Sequence, residues 1–550
     1  MNNEGTNENL EATMKLELPP EKPKKKIGII VGVILVLIVA VAGVFVYLNR
    51  DSLFSKDNEK TETESKRTVV KSEYTITDNG LQNFDLYFMQ LENNKKNVVY
   101  SPLSIKYALE MLAEGTDGDT KVQLDSIIGD YVAKKYPNNE HMSFANALFI
   151  KDEFEKNINN DYKKLLSDKY NAELIVDSFR SPKAINDWVS GKTFKLIPDL
   201  LDDVSDNDFV LVNALAIDME WNKKIQSEHE DYSVSFQHEK IEASKDAEYP
   251  HDYDYGFYIG SLDGAGYTEL EFSGSSKKAK SVEIGAVANK YDIITTLGED
   301  NIRKTVLEEY EKWKKEYPEE AQWDDFSIDT YMNELKTNYK HMSNSTDFLF
   351  NDNEDVKVFA KDLKTYEGVT LQYVGIMPKK VSLDEFIKNT KAEEINGYIN
   401  GLKNLSLDSF EDGYMTIIDG YIPLFNYEYE LDLMKDLESL GITDVFDSSR
   451  ADLSKMIDSK GEYIDTAVHK ANIEFSNEGI KAAAATAMGG KGAADDGFNY
   501  WFDVPVKRIN MTFNNPYMYL IRDKESGEVW FAGTVYEPKE LSEEDYSYAW

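Results

Sequence analysis

The chain has 550 residues, 61 Lys plus Arg against 100 Asp plus Glu, a formal net charge of -39 and no cysteine. That acidity argues against a nucleic-acid ligand, whose binding needs clusters of Lys and Arg. The missing cysteine excludes disulfides, thiolate metal sites, a lipid-anchored cysteine and cysteine nucleophiles, and the length allows more than one average domain.

The first segment, 1–26, is a polar tail that closes on Lys24-Lys25-Lys26. The segment 27–48 contains no charged residue. At about 1.5 Å per residue it can cross a bilayer core of about 30 Å. Three lysines before it and Arg50-Asp51 after it put the N-terminus in the cytoplasm and the rest outside the cell. A cleaved signal peptide is the rival, because Ala40-Val41-Ala42-Gly43 offers a small-residue site, and it would make the chain secreted. The length of the apolar run and of the leading tail favours a signal anchor. A charged stalk, 49–72, leads to a domain over 73–540, and an acidic tail closes the chain at 541–550.

Within the domain, Leu81 to Leu91 predicts a helix with Leu81, Phe84, Phe88 and Leu91 on one face. A short strand follows near Val98-Val99-Tyr100, and Ser101-Pro102 predicts a capped helix running to Gly115. Phe144 to Ile150 reads as a buried strand and Ile185 to Ser190 as helix. Phe209 to Ile217 reads as a central strand, apolar on both faces except for Asn213. Residues 245–340 carry an excess of Tyr, Asp and Glu and read as a surface insertion, with a charged helix over Thr305 to Tyr317 and Leu307, Tyr310 and Trp313 spaced along it. Partner binding by this stretch is the sharper alternative. Leu371, Val374 and Ile376 lead into Met377-Pro378-Lys379-Lys380, Leu383 to Asn389 predicts a helix, and Leu431, Met434 and Leu437 fit one face of another helix. The six His are scattered singly; His469 reads as structural, since no second ligand has suitable spacing to it, and no metal site is expected.

The stretch Asn477 to Gly497 stands apart. Its run Ala482-Ala483-Ala484-Ala485 lacks an amphipathic stripe and is followed by Gly489, Gly490 and Gly492, so it should be exposed. At a period of two, Ile480, Ala482, Ala484, Thr486, Met488 and Gly490 share one uncharged face, while Lys481 and Lys491 share the other. Such a segment can join a sheet without burying a charge. A small-residue linker is the plain alternative.

Several phrases in order identify a family. Ala467-Val468-His469-Lys470-Ala471-Asn472-Ile473-Glu474-Phe475 precedes the loop. Phe513-Asn514-Asn515-Pro516-Tyr517-Met518-Tyr519-Leu520-Ile521-Arg522-Asp523 and Phe531-Ala532-Gly533 follow it, and Leu440 to Phe446 reads LGITDVF. Together they resemble the serpins across roughly Leu81 to Pro538, and the acidic, cysteine-free chain with its apolar N-terminal run suggests a membrane-anchored, bacterial-type member. The resemblance implies an α+β serpin fold, with helices packed around a large central mixed β-sheet and an exposed reactive loop. It implies a monomeric suicide inhibitor of serine proteases that needs no cofactor. It makes Glu478, Gly479, Ile480, Ala482, Ala483, Ala484, Ala485 and Thr486 the hinge. Ser101, Ser104, Asn213 and His469 become the shutter beneath the inserting strand, and Trp221 the breach where insertion begins. Asn477 stands where the family has an acidic residue, and Ile480, still uncharged, where it has Thr or Ser. Counting from Gly479, the reactive bond falls at Ala493–Ala494, whose small residues suit elastase-like or subtilisin-like proteases. If the loop's extra length precedes the bond, Phe498, Tyr500 or Trp501 would instead imply a chymotrypsin-like target. A non-inhibitory serpin acting as a chaperone or surface-binding module is the second reading. An enzyme is not expected, since the chain has no Gly-rich phosphate loop, metal-ligand cluster or Gly-x-Ser-x-Gly elbow.

Overall fold

Local sequence sets the first elements of the computed structural model. It describes residues 72–541 except 206, 226–234, 237–256, 259–267, 276, 339–347, 404–408, 481–497, 499, 501, 503 and 504. Helix α1 (Asn83–Leu91) starts at Gln82, whose backbone N–H is capped by Asp85 at 2.8 Å. Leu81, Phe84 and Phe88 are buried as their spacing predicts, whereas Leu91, on the last turn, is 44% exposed. Strand β1 (Val98–Tyr100) leads into α2 (Pro102–Glu114), where the Ser101 hydroxyl accepts from the Ser104 N–H at 3.0 Å and Pro102 opens the first turn.

The chain continues through α3 (Gly118–Ile128), β2 (Met142–Lys151), α4 (Asn160–Tyr170), β3 (Glu173–Asp177), α5 (Lys183–Lys192), β4 (Phe209–Ile217) and β5 (Met219–Glu220). Next come β6 (Ser235–Phe236), β7 (Phe257–Tyr258), β8 (Thr268–Glu271), β9 (Lys278–Asn289), α6 (Ile293–Leu297), α7 (Glu299–Glu316) and α8 (Ile328–Asn338). The last part holds β10 (Phe348–Asp352), β11 (Val356–Asp362), β12 (Leu371–Pro378), α9 (Leu383–Asn389), α10 (Ala392–Asn400), β13 (Met415–Pro423), β14 (Phe425–Asp432) and α11 (Leu433–Ser439). It ends with β15 (Val468–Phe475), β16 (Gly479–Ile480), β17 (Val506–Asn510), β18 (Tyr517–Asp523) and β19 (Val529–Val535).

A six-stranded antiparallel sheet runs β1-β19-β18-β12-β11-β10. Its strands are buried along their length, with Tyr373 stacked on Tyr519 at 5.7 Å between ring centroids and Tyr519 stacked on Phe425 at 5.1 Å. A second sheet is split into two halves. One half is β3-β2-β4, mixed because β2 and β3 run parallel; the other is β5-β16-β15-β14. Since β5 follows β4 directly, both halves share one chain path. Among the described residues, no ladder joins β4 to β15 below the two-residue rung of β16.

Strands β8 and β9 lie inside the stretch 245–340 that reads as a surface insertion, and they complete a four-stranded sheet β17-β13-β9-β8. One sequence expectation changes. Leu431 belongs to the end of β14 rather than to the helix with Leu437, because Asp432 caps α11 and starts it at Leu433. The apolar run 27–48 and the tails 1–26 and 542–550 lie outside the described residues, among which no helix is long and apolar enough to cross a membrane.

The core also holds charge. Lys106 of α2 and Asp85 of α1 form an ion pair at 2.5 Å with both side chains fully buried, and Glu528, bonded to Tyr136, is buried beside them. Burial pushes both carboxyls upward in pKa, Asp85 and Glu528 alike. Lys106→Met leaves two buried carboxyl groups without their cation. It should destabilise the domain by about 3 kcal/mol, read as a lower urea midpoint followed by tryptophan fluorescence; an unchanged midpoint would deny the pair a structural role.

Candidate functional site

At the head of the split sheet the chain makes a latch from ordinary backbone chemistry. After β15 the chain turns at Ser476: its N–H and hydroxyl both donate to the Gly479 carbonyl, and its hydroxyl accepts from the Glu478 and Gly479 N–H groups at 3.2 Å. Trp221, fully buried, clasps this turn with both its donors. Its backbone N–H reaches the Glu478 carbonyl at 2.9 Å and its indole N–H the Ser476 carbonyl at 2.8 Å. The Ile225 N–H adds a bond to the Asn477 carbonyl at 3.0 Å, and Lys224 pairs with the Glu478 carboxylate.

The turn delivers Gly479 and Ile480 as a rung between the two halves. Gly479 pairs with Glu220 and Ile480 with Met219 on one side, and Ile480 with Phe475 on the other, all antiparallel. A methyl group at Gly479 would meet the Met219 carbonyl oxygen at 2.1 Å, so only glycine fits this approach. Ile480, standing where the family has Thr or Ser, is 1% exposed and packs into the core. The sequence departure is thus accommodated by apolar burial at the top of the gap.

Below the rung the facing edges of β4 and β15 line a cavity of about 100 Å³, with Leu215, Ala471, Leu112 and Ile105 among its walls. A hydrogen-bonded chain crosses beneath it. His469 of β15 accepts the Ser101 N–H at its Nε2 at 2.9 Å, and the Ser101 hydroxyl accepts from the Ser104 N–H. The Ser104 hydroxyl donates to the Asn213 side-chain carbonyl, Asn213 donates to Asn146, and Asn146 donates to the Tyr170 carbonyl at 3.0 Å. The structure therefore brings Ser101, Ser104, Asn213 and His469 together. It joins Asn213 to His469 through the two serines at the start of α2, not by a direct bond.

Sequence reasoning missed Asn146 and Ser476. Asn146 carries the same signal as Asn213, one amide in an otherwise apolar strand, and the two stand opposite each other in the β2–β4 register. Ser476 leaves no such mark, because its work is done on neighbouring backbone. The remaining hinge residues Ala482, Ala483, Ala484, Ala485 and Thr486, the bond Ala493–Ala494, and Trp501 lie outside the described residues. Of the displaced bond positions, Phe498 and Tyr500 are described, half-buried against α7 and α8.

Burial drives the His469 pKa down from 6.5 to about 4. The folded chain thus holds a neutral imidazole with its proton on Nδ1, since Nε2 is an acceptor. Between pH 6.5 and 4 the exposed imidazole takes up a proton that the buried one refuses. The closed shutter should therefore be fully stable above pH 6.5 and lose up to about 3 kcal/mol as pH falls to 4. Urea midpoints across that window should fall more steeply for the native chain than for His469→Asn; identical slopes would remove His469 from the shutter.

The model of the family Serpin (serine protease inhibitor) matches residues 83–246 and 311–538. Mouse (Mus musculus) neuroserpin is 24% identical over 480 residues, covering 81% of this chain and 87% of that protein. The human (Homo sapiens) leukocyte elastase inhibitor is 26% identical, covering 82% and 97%. Neither relative lends support to a bacterial-type reading. Among solved structures, the native state of the thermophilic serpin tengpin superposes with a TM-score of 0.53 at 21% identity, covering 85% of this chain and 97% of that one. Uncleaved ovalbumin gives 0.51 at 17% identity, covering 84% and 98%. The family holds inhibitors such as the leukocyte elastase inhibitor and non-inhibitory members such as ovalbumin. With its split sheet, its latched hinge and this match over most of its length, the chain belongs to the serpin family.

Proposed function

We propose that this serpin is a serine protease inhibitor that works as a suicide substrate, cut in its loop and closed by insertion of the freed segment into the split sheet. One observation carries the reading: Gly479 and Ile480 already form the first antiparallel rung between Met219–Glu220 and Phe475, directly above the unpaired edges of β4 and β15.

That rung sets a register. Paired residue numbers sum to 699 on the Met219–Glu220 side and to 955 on the Phe475 side. Continued downward, the register sets Ala482 opposite Ile217 and Ile473, and Ala484 opposite Leu215 and Ala471. Thr486 then arrives between Asn213 and His469. Directly opposite residues point to the same face of a sheet, so Thr486 would bring a hydroxyl to the shutter amide and imidazole. The alternate residues that follow Ile480 inward are small or uncharged, as burial demands. Each new ladder bond contributes on the order of 1 kcal/mol net, and a strand bonded on both edges sums many of them. That release is what would drag an acylated protease out of its active geometry.

The reactive bond in this reading is Ala493–Ala494, and its small side chains favour elastase-like or subtilisin-like proteases over chymotrypsin-like ones. The similar human leukocyte elastase inhibitor, named for an elastase, points the same way. The inhibitor would act as a monomer outside the cell, held at the membrane by residues 27–48, a placement that rests on the apolar run and the lysines before it. It is an inhibitor rather than an enzyme in this account.

Incubation with pancreatic elastase or subtilisin should give an SDS-stable adduct and a C-terminal fragment beginning at Ala494. Ala484→Arg would drive a guanidinium against Leu215 and Ala471, both buried. Its adduct yield should fall about tenfold or more, because burying an unpaired charge costs several kcal/mol. Clean cleavage of the native chain without adduct would favour the non-inhibitory, surface-binding reading, and an unchanged adduct yield in Ala484→Arg would contradict insertion.

A further inference from the structure

Helices α6, α7 and α8 bury a small core of their own, and the chain downstream of the reactive loop completes it. Ile293, Ile302, Val306, Met332 and Leu335 are buried together with Phe502, which comes from beyond the loop and is 8% exposed. Phe498 sits in an aromatic cage: its ring centroid lies 4.9 Å from Tyr310, 4.9 Å from Phe326 and 5.7 Å from Trp313. The backbone is held as well. The Phe498 N–H donates to the Asp324 carboxylate at 3.2 Å, and the Tyr331 hydroxyl donates to the Tyr500 carbonyl at 2.7 Å. Tyr500 and Phe502 meet edge to face at 5.0 Å, and the chain then enters β17 beside β13. The family model leaves residues 247–310 unmatched, which include α6 and most of α7.

A protease needs an extended, accessible stretch on both sides of the bond it cuts. Phe498 and Tyr500 are the large aromatic side chains a chymotrypsin-like protease would seek, yet the Phe498 ring packs in the cage, the half-buried Tyr500 ring packs on Phe502, and the Phe498 N–H and Tyr500 carbonyl are engaged. We propose that the α6–α8 module is a clamp on the downstream stem of the reactive loop, and that it determines specificity by withholding the bonds after Phe498 and Tyr500 from chymotrypsin-like proteases. The partner it selects against is a protease with a deep aromatic pocket; the small-residue bond upstream is left for proteases that accept alanine. Phe326 and Tyr310 act by holding the stem and touch no protease themselves, which makes them positioning residues. The importance of the clamp for inhibition rests on the proposed function; its existence as a barrier to cleavage does not.

The test is limited digestion of the full chain with chymotrypsin and, separately, pancreatic elastase, with cleavage positions and rates read by mass spectrometry. Opening the cage by Phe326→Ala should speed chymotrypsin cleavage after Phe498 and Tyr500 by about tenfold or more, as expected when local opening becomes easier. Tyr331→Phe removes only the bond to the Tyr500 carbonyl and should give a smaller rise in the same direction. Elastase cleavage upstream should stay within about twofold of the native rate in both variants. Cleavage after Phe498 in the native chain as fast as in Phe326→Ala would overturn the clamp. Should Phe326→Ala fail to fold, hydrogen exchange on the native chain decides: a Phe498 amide protected well above free-peptide rates supports the clamp, and one exchanging at the free-peptide rate overturns it. Loss of the SDS-stable adduct with an unchanged cleavage map would count against inhibition and leave the clamp standing.

Discussion

Two strand edges that, among the described residues, face each other without bonding define this molecule. β4 offers nine residues along one side of the gap and β15 eight along the other. A sheet normally closes such edges or covers them, because unpaired N–H and C=O groups beside apolar surface are costly. Here the gap is spanned from beneath by the start of α2, where Ser101 and Ser104 tie His469 of one half to Asn213 of the other. The fold thus keeps a large set of ladder bonds unmade. On the order of 1 kcal/mol for each, summed along two edges, is comparable to the whole stability of an ordinary domain.

The segment proposed to fill the gap is matched to it in its sequence. The close approach at Gly479 needs a residue without a side chain, and Trp221 aims the chain into the sheet with its two N–H donors. In the proposed insertion, the alternating sequence pattern from there would put alanines and a threonine inward and the lysines outward. At the far end of the loop, Phe502 is seated in the core of a helical module and Phe498 packs half-buried against it. The loop is therefore fastened at both ends by contacts of different kinds, a backbone rung upstream and an aromatic cage downstream, and the chain between them carries no large apolar anchor beyond Met488.

Much of this was legible in the residues, for identifiable reasons. The Ser101-Pro102 cap and the strand Phe209–Ile217 are set by local chemistry, and their bounds hold in the structure. Asn213 stands out because a lone amide in an apolar strand demands a partner, and Asn146, which sequence reasoning missed, carries the same signal. What escaped depends on contacts distant in sequence. Strands β8 and β9 lie in a polar stretch with no strong strand pattern, and the partner that orders β9 is β13, more than a hundred residues later. Tyr310 and Trp313 share a face at helical spacing, but the ring that fills the space beside them, Phe498, comes from the other side of the reactive loop. The buried Lys106 has no local sign either, since Asp85 and Glu528 reach it from two other elements.

The central claim is that the intact chain is not its own most stable form. The direct measurement is calorimetry of the chain before and after a single elastase cut in the loop. The account predicts that the cut chain unfolds at a markedly higher temperature than the intact one, because the missing strand has been supplied to both edges. Equal or lower heat resistance after the cut would contradict it.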